Sequence, residues 1–170
     1  MPYRPGGQPE ELCLVFEGLN QGTDTVIATA SFYLYANIEN LVLAEGAGAI
    51  FGVGNVLANA ITGNASANTI IAGDGNDSIL GNAGNDILFG QGGADTFVFE
   101  RGTGRDVIAD FTPGTDKVQL TGLGFGGFAQ VLTATTQNGV SCVVDFGLTE
   151  FVILQNVNKA SLSAADFILA

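Results

Sequence analysis

The sequence contains no histidine and no tryptophan, and only 5 of its 170 residues are lysine or arginine. Without histidine the chain cannot build a Ser-His-Asp or Cys-His catalytic centre or a His-based zinc site. It also lacks a Gly-x-Ser-x-Gly nucleophile elbow. The 17 acidic residues give a net charge of −12, which argues against a nucleic-acid partner and favours cations. We therefore expect neither an enzyme nor a nucleic-acid-binding protein.

Long apolar runs are missing as well. No stretch of 18 apolar residues occurs, so no membrane span is expected, and the first twenty residues contain no run typical of an N-terminal export signal. Residues 1–16 are interpreted as a leader or the edge of a fragment. The two cysteines, Cys13 and Cys142, form no metal-spaced pair. We expect Cys142 in the core, on the same strand face as Val140 and Val144.

The 25 glycines recur at a fixed period. Three blocks of nine residues, 72–80, 81–89 and 90–98, follow one another without a gap, each with glycine at position four, aspartate at six and a large apolar residue at eight. The blocks 54–62 and 63–71 match more weakly and have asparagine at position six. In such a block six residues form a turn and three form a strand, so two blocks complete one coil and the turns of alternate blocks stack.

This stacking makes two predictions about side chains. The apolar residues should form one inward ladder of Ile61, Ile79 and Phe97 and a second of Ile70 and Leu88. The aspartates of stacked turns should lie one strand spacing, about 4.8 Å, apart. Carboxylates this close repel each other unless a cation lies between them, and calcium, which takes six to eight oxygen ligands, suits the gap.

The regions on either side are less regular. Short strands are expected within 23–43 before the blocks, and at 106–111, 117–120, 131–133, 140–146 and 151–154 after them. Asp24, Asp106, Asp110 and Asp116 would be the only candidates for carboxylate chemistry on a glycoside, and we interpret them instead as turn-capping or calcium-binding residues. The resulting domains are 17–53 (irregular solenoid strands), 54–98 (repeats) and 99–170 (C-terminal cap).

The repeats resemble the RTX, or haemolysin-type, nonapeptide Gly-Gly-x-Gly-x-Asp-x-apolar-x. The segment 106–120 is similar to the start of the cap that follows RTX repeats in serralysin-type metalloproteases and other type I secreted proteins, and 166–170 resembles the type I secretion signal. The likeness extends from Glu17 to Ala170. It implies an all-β chain: a parallel β-roll, or right-handed β-solenoid, with calcium between its turns and a short-stranded C-terminal β cap.

The resemblance also implies the calcium ligands. In the family, carbonyls at positions two and four and the carboxylate at six of one turn combine with carbonyls at one and three and the carboxylate at six of the next stacked turn. The best site carried over comprises Gly73, Gly75, Asp77, Gly90, Gly92 and Asp95. A second comprises Asn64, Ser66, Asn68, Gly81, Ala83 and Asp86, although Asn68 brings no charge. A third would combine Asn82, Gly84 and Asp86 with the turn 100–106, and a weaker one would join Asp74 to Asn55, Leu57 and Asn59.

We therefore expect a calcium-binding C-terminal module of a secreted, extracellular protein, folding on calcium binding and carrying a C-terminal signal for the type I secretion machinery. The alternative is a carbohydrate-binding or adhesive β-solenoid with a polysaccharide partner, for which Arg101, Arg105 and Lys117 are the basic candidates. A small stand-alone enzyme of unfamiliar type is the third hypothesis.

Overall fold

The computed structural model describes residues 14–16 and 22–170, so Cys13 and most of the predicted leader lie outside the described residues. The secondary structure of the described residues is mostly β-strand, with one short α-helix. The strands are β1 Leu14–Phe16, β2 Thr25–Ala28, β3 Phe32–Tyr33, β4 Asn40–Leu43, β5 Phe51–Val53, β6 Ala60–Thr62, β7 Thr69–Asp74, β8 Ser78–Leu80, β9 Ile87–Gly92, β10 Thr96–Phe99, β11 Arg105–Ile108, β12 Lys117–Leu120, β13 Thr135–Asn138, β14 Ser141–Gly147, β15 Glu150–Leu154 and β16 Phe167–Leu169. The helix is α1 Phe128–Ala134, and two single 3₁₀ turns lie at Lys159–Ser161 and Ala164–Asp166.

The strands form two sheets that the chain visits alternately. In the described ranges the first sheet has the order β1-β2-β4-β6-β8-β10-β12-β16 and the second the order β13-β14-β15-β11-β9-β7-β5-β3. The pairs from β2 to β12 and from β3 to β11 are all parallel, as the predicted β-roll requires. The predicted fold class is therefore confirmed: each nonapeptide crosses the roll once, and two make a coil.

The two predicted apolar ladders are confirmed by the strand register. Ile79 pairs with Ile61 on one side and Phe97 on the other, and Ile70 pairs with Leu88. All five side chains are buried. The ladder in the first sheet continues in both directions, through Val26, Leu41, Val118 and Phe167. A column of buried apolar side chains thus lines the inner face of the first sheet, and the column of the second sheet runs through Ile70, Leu88 and Ile108.

The segment after residue 98 extends both sheets. Strands β11 and β12 add one more coil, then the antiparallel hairpin β14–β15 pairs with β11 through β15, and β16 pairs with β12. One ring contact joins this segment to the repeats: the ring centroids of Phe97 and Phe111 lie 6.3 Å apart. Within the segment, Phe99 lies 5.6 Å from Phe146 and Phe128 lies 5.7 Å from Phe167. The C-terminal end of the roll is therefore covered by β-strands, and the proposed domain boundaries remain a prediction.

Two expectations for this region are wrong in detail. The run 131–133 was expected as a strand but lies in α1, where Val131 is buried and its carbonyl accepts a hydrogen bond from the Thr135 hydroxyl at 2.7 Å. A short apolar run fits either a helix or a buried strand, and here the flanking alanines favour the helix. Cys142 is a free, buried thiol on the face of Val144 as expected, but Val140 lies before β14 and is exposed.

Neither α1 nor any other helix in the described part of the chain is long and apolar enough to cross a membrane.

Adjacent residues of β9 provide a test of the inward ladder. Leu88 is fully buried, whereas Ile87 points outward and is 43% exposed. We expect Leu88→Ala to lower the free energy of unfolding by about 2–5 kcal/mol, because it leaves a cavity between stacked coils. Ile87→Ala should cost about 1 kcal/mol or less. Urea unfolding in saturating calcium, followed by circular dichroism, measures both, and equal losses would contradict the register.

Candidate calcium sites

The turns of the roll form two stacks, one on each side. The first turn stack comprises residues 54–59, 72–77, 90–95 and 109–116, which lead from the second sheet into the first. The second turn stack comprises residues 63–68, 81–86 and 100–106, which lead from the first sheet into the second. Each of these turns ends directly before a strand, except 100–106, whose last residue, Asp106, is the second residue of β11. The polar residue at the end of each turn, position six in the repeats, is therefore held in place by the strand register.

A column of buried position-six side chains runs through each stack. In the first, the Asp77 carboxylate accepts a hydrogen bond from the Asn59 N–H at 2.7 Å, and the Asp95 carboxylate one from the Asp77 N–H at 2.9 Å. The Asp116 carboxylate continues the series by accepting from the Asp95 N–H at 3.1 Å. Each aspartate thus bonds the backbone of the coil before it, and stacking of the turns depends on these contacts.

The second turn stack repeats the arrangement. The Asp86 carboxylate accepts from the Asn68 N–H at 2.7 Å, and the Asp106 carboxylate accepts from the Asp86 N–H at 2.9 Å. The other oxygen of Asp106 accepts from the buried Thr103 hydroxyl at 2.8 Å. The column therefore crosses the boundary at residue 98 without a break.

Three of these aspartates keep one oxygen without a hydrogen-bond partner. They are Asp77, Asp86 and Asp95, and in each case Oδ2 is buried and unpaired while Oδ1 receives the backbone N–H. A buried carboxylate oxygen with no partner costs free energy unless a proton or a cation satisfies it. These three residues are the position-six aspartates of the three gapless repeats.

Burial also changes the proton affinity of the column. Desolvation raises the pKa of Asp77 to about 7, with the carboxylates of Asp95 and Asp74 adding to the effect. It likewise raises the pKa of Asp86 to about 7, with a contribution from Asp106, and the pKa of Asp106 itself to about 6. For Asp95 the pKa is raised by desolvation and by the neighbouring Asp116. The turns thus hold negative charge that requires compensation near neutral pH.

Backbone carbonyls point into the space between stacked turns. A Cβ added to Gly75 would lie 2.4 Å from the Leu57 carbonyl oxygen, and one added to Gly84 would lie 2.8 Å from that of Ser66. Leu57 and Ser66 both occupy position four of the preceding stacked turn. A carbonyl from position four therefore faces the next turn of its stack, where a glycine leaves room for it.

Glycine at position one leaves space for the unpaired carboxylate oxygens. A Cβ on Gly81 would lie 2.3 Å from Asp86 Oδ2, and one on Gly90 would lie 2.2 Å from Asp95 Oδ2. Glycines of these turns therefore face a carboxylate oxygen at position one and a carbonyl oxygen at position four. No group of three or more acidic or cysteine side chains able to hold a metal occurs among residues 22–170. An ion would depend on backbone carbonyls, and an all-oxygen set suits calcium.

The structure brings the six residues of the best predicted site into two adjacent stacked turns. Strands β7 and β9 extend into these turns, where Gly73 pairs with Gln91 and Asp74 with Gly92. The site also includes two of the three unpaired oxygens, those of Asp77 and Asp95. These residues therefore fit a calcium ion.

The second predicted site fits less completely. Its turns are stacked as expected, and Asp86 contributes an unpaired oxygen. However, Asn68 Oδ1 accepts from the Asn64 N–H at 2.8 Å, and Asn68 Nδ2 donates to the Ile50 carbonyl at 3.2 Å. The side chain of Asn68 is thus already engaged at both ends.

The column of buried aspartates continues beyond the repeats, into the region of the third predicted set, where the sequence spacing is irregular. Asp106 and Asp116 follow their predecessors by 20 and 21 residues rather than the 18 that separate Asp77 from Asn59. The signal that identifies them is the sequence aspartate-x-apolar, present in Asp106-Val-Ile108 and Asp116-Lys-Val118 as in the repeats. The Asn82 carbonyl in this set accepts from the Thr103 hydroxyl at 3.3 Å.

Comparison with known proteins agrees with this geometry. The model of the RTX calcium-binding nonapeptide repeat family matches residues 62–97 with four copies. The chain is 40% identical over 172 residues to the endo-1,3-1,4-beta-glycanase EglC of Rhizobium meliloti (strain 1021), covering 97% of this chain and 34% of the glycanase. It is similar in structure to the extracellular lipase LipA from Serratia marcescens, with a TM-score of 0.62, 25% identity, and coverage of 87% of this chain and 24% of the lipase. The chain thus spans about a third or less of these relatives.

Two neighbouring glycines test the space between the turns of the second stack. Gly102 and Gly104 have nearly the same positive φ, +89° and +93°. A Cβ on Gly104 would lie 1.8 Å from the Gly84 carbonyl oxygen, whereas a Cβ on Gly102 would have no atom within 4 Å. Both alanine variants carry similar backbone strain, so the difference between them measures the close approach.

We expect Gly104→Ala to lower the melting temperature in calcium by several degrees more than Gly102→Ala, since about 1 kcal/mol corresponds to roughly 2–4 °C in a chain of this size. Differential scanning calorimetry at fixed calcium concentration provides the measurement. Equal shifts for the two variants would show that the Gly84 carbonyl does not face the turn 100–106.

Proposed function

We propose that this chain is a calcium-binding module of a secreted protein, and that the acidic turns of the chain become ordered on binding calcium. The premise is that residues 62–97 belong to the RTX calcium-binding nonapeptide repeat family. The observation that carries the proposal is the set of unpaired, buried carboxylate oxygens on Asp77, Asp86 and Asp95. The unpaired oxygens of Asp86 and Asp95 lie against Gly81 and Gly90, and together with the raised pKa values the three carboxylates mark charge that a divalent cation would compensate.

We assign the first ion to Gly73, Gly75 and Asp77 together with Gly90, Gly92 and Asp95. Asp86, with Asn82 and Gly84, would hold another against the turn 100–106. Bound calcium supplies the positive charge that offsets the repulsion between stacked carboxylates, and each aspartate then keeps both its backbone bond and its ion contact. Without the ion the acidic turns retain the repulsion and the chain entropy of a glycine-rich segment.

The secreted location rests on the relatives. The lipase is described as extracellular, and calcium at millimolar concentration, the range that weak extracellular modules require, favours folding there rather than in a calcium-poor cytosol. We further propose export by the type I secretion machinery, with the C-terminal residues as its signal. In the folded protein this segment forms β16 beside β12, and Phe167 is buried. A signal that is read before folding would thus become part of the first sheet afterwards.

Asp95 provides the sharpest test of the ion sites. We expect Asp95→Asn to weaken calcium binding at least about tenfold, because the amide keeps the shape but removes the charge that compensates the ion's lost hydration. Asp145→Asn is the matched control, since Asp145 is exposed and its carboxylate accepts only a local hydrogen bond from the Gly147 N–H at 2.7 Å. Isothermal titration calorimetry measures both.

Binding by Asp95→Asn that matches the unmodified chain would contradict the assignment. Titration with magnesium completes the experiment. We expect magnesium to bind more weakly than calcium, because a site made of carbonyl and carboxylate oxygens requires the ion to lose its water, which magnesium gives up reluctantly.

A second candidate function is glycan binding, favoured by exposed aromatic side chains at the β3 edge of the second sheet. Tyr33 and Tyr35 are 63% and 66% exposed, and Tyr33 packs edge-to-face on Phe51 with ring centroids 5.3 Å apart. Tyrosine rings present an apolar face and a polar tip, which suits a sugar ring. The 40% identity to a 1,3-1,4-beta-glycanase supplies a substrate class to test.

For this candidate we expect the double variant Tyr33→Ala and Tyr35→Ala to abolish retardation of the calcium-loaded chain in a gel containing mixed-linkage 1,3-1,4-beta-glucan. Leu148→Ala, which removes an apolar side chain that is 85% exposed at a distant turn, is the control. If the unmodified chain migrates identically with and without the glucan, this candidate is wrong.

A further inference from the structure

At position six the N-terminal turns of the roll contain asparagine where the later turns contain aspartate, whereas at position two asparagine also occurs in a later turn, as Asn82, whose Nδ2 donates to the Gly63 carbonyl at 2.7 Å. Residues 22–71 include three acidic residues, whereas residues 72–116 include eight. The asparagines in question are Asn55 and Asn59 in the first turn stack and Asn64 and Asn68 in the second, at positions two and six of the two weak repeats. The low charge of this part means that its stacked turns do not repel each other as the acidic ones do.

In the first turn stack, the side-chain amide of Asn55 joins two carbonyls of the preceding irregular turn. Its Nδ2 donates to the Tyr35 carbonyl and to the Ile38 carbonyl, both at 2.8 Å. Asn59 Nδ2 adds bonds to the Ile38 and Glu39 carbonyls at 3.1 and 3.2 Å. Carbonyls from one turn therefore converge on –NH₂ groups of the next, which carry partial positive charge.

The second turn stack has the same arrangement. Asn64, which is fully buried, donates from Nδ2 to the Ala44 carbonyl at 3.1 Å and to the Gly48 carbonyl at 3.0 Å. Its Oδ1 accepts from the Ser66 N–H at 2.9 Å. Asn68, as described above, is bonded at both ends of its amide, to Asn64 and to Ile50. Every polar atom of the Asn64 and Asn68 side chains thus has a partner within the protein.

The contrast with the acidic turns is direct. Asp77, Asp86 and Asp95 each leave a buried oxygen unpaired, whereas the side chains of Asn55, Asn59, Asn64 and Asn68 leave no buried polar atom without a partner. An unsatisfied buried oxygen invites an ion, and a satisfied amide does not. Among the described residues one further buried oxygen lacks a partner, Oδ1 of Asp24, which lies before β2 and outside the strands β4 to β7. From β4 onward, the boundary between the two kinds of turn falls between Asn68 and Asp77.

We propose that the side-chain amides of Asn55, Asn59, Asn64 and Asn68 replace calcium in the N-terminal turns, so that the strands from β4 to β7 are ordered without the ion and serve as the template on which the calcium-dependent coils stack. This inference rests on the proposed calcium function for the later turns. It also revises the expectation of an ion between Asn68 and Asp86, because the asparagine in that site is already fully bonded.

The template has a core of its own. Leu41 and Leu43 of β4, Ile61 of β6 and Ile70 of β7 are all buried. The interturn backbone bonds there are regular, with the Ala60 N–H donating to the Glu39 carbonyl at 2.9 Å. In a solenoid, stability is roughly a sum of coil and neighbour terms, so part of the array can be ordered while the rest is not.

Hydrogen–deuterium exchange on the full chain, with chelator and with calcium, tests the division. Two groups of interturn N–H donors serve as reporters: Ala60 for the template, and Thr96, Val107 and Lys117, which donate to the carbonyls of Asp77, Asp86 and Asp95, for the acidic coils. We expect peptides over 40–71 to remain protected in chelator, while peptides over 87–120 become protected only with calcium.

Each result decides a different question. If both regions lose protection in chelator, the template is wrong but the calcium function stands. If both keep protection in chelator, the division and the proposed calcium-dependent ordering are both wrong.

An asparagine variant tests the mechanism. Asn64→Asp replaces two donated hydrogen bonds by a buried charge facing two carbonyls, so protection of 40–71 in chelator should fall at least about tenfold. Asn76→Asp is the matched control: it adds the same charge, but Asn76 is exposed and uses only Oδ1, which accepts from the Ala94 N–H at 2.8 Å, so a carboxylate can keep that bond. Unchanged protection of 40–71 in Asn64→Asp would overturn the proposed role of the amides.

Discussion

The roll depends on one repeated contact, the hydrogen bond from the backbone N–H of one coil to the buried carboxylate of the coil that follows. This contact places an acceptor at the entry from a turn into a strand, and it sets the stagger of the two coils, because an aspartate one residue out of place would lie on the other face of the sheet. It also brings a charge into a column with little water. The requirement for a compensating group follows from the same bond that stacks the coils.

Much of this arrangement could be predicted from the sequence. The period of nine fixed the alternation between sheets, and with it the ladders of Ile79 with Phe97 and of Ile70 with Leu88. Asp77 and Asp95 were placed in adjacent turns for the same reason. These features depend only on spacing, and spacing along the chain becomes spacing in the solenoid as long as no residue is inserted.

The rest was not predictable because it depends on irregular turns. Asp106 and Asp116 belong to the columns of buried aspartates because the longer turns before them still enter β11 and β12 in the strand register. The spacing along the sequence does not show that the register is kept. The amides of Asn55 and Asn64 bond carbonyls on turns 35–39 and 44–50, whose course no repeat describes. Asparagine at position six looked like a weakened calcium ligand, whereas its –NH₂ group makes it a donor to backbone carbonyls.

The distance along the chain between bonded partners has a consequence for how the molecule assembles. From β2 to β12, the bonds between position-six side chains and the preceding coil join residues 15 to 21 positions apart, so each added coil closes a loop of similar, modest length. The C-terminal strands are different: β15 pairs with β11 at Phe151 and Arg105, and the Gly114 N–H bonds the carboxylate of Asp166, which precedes β16 and lies 52 positions away. Loop-closure entropy grows with the logarithm of length, and such a contact is favourable only once the coil at 109–116 already exists. The coils can therefore be added one after another at a similar entropic cost, whereas β16 can pair with β12 only after the earlier coils have formed.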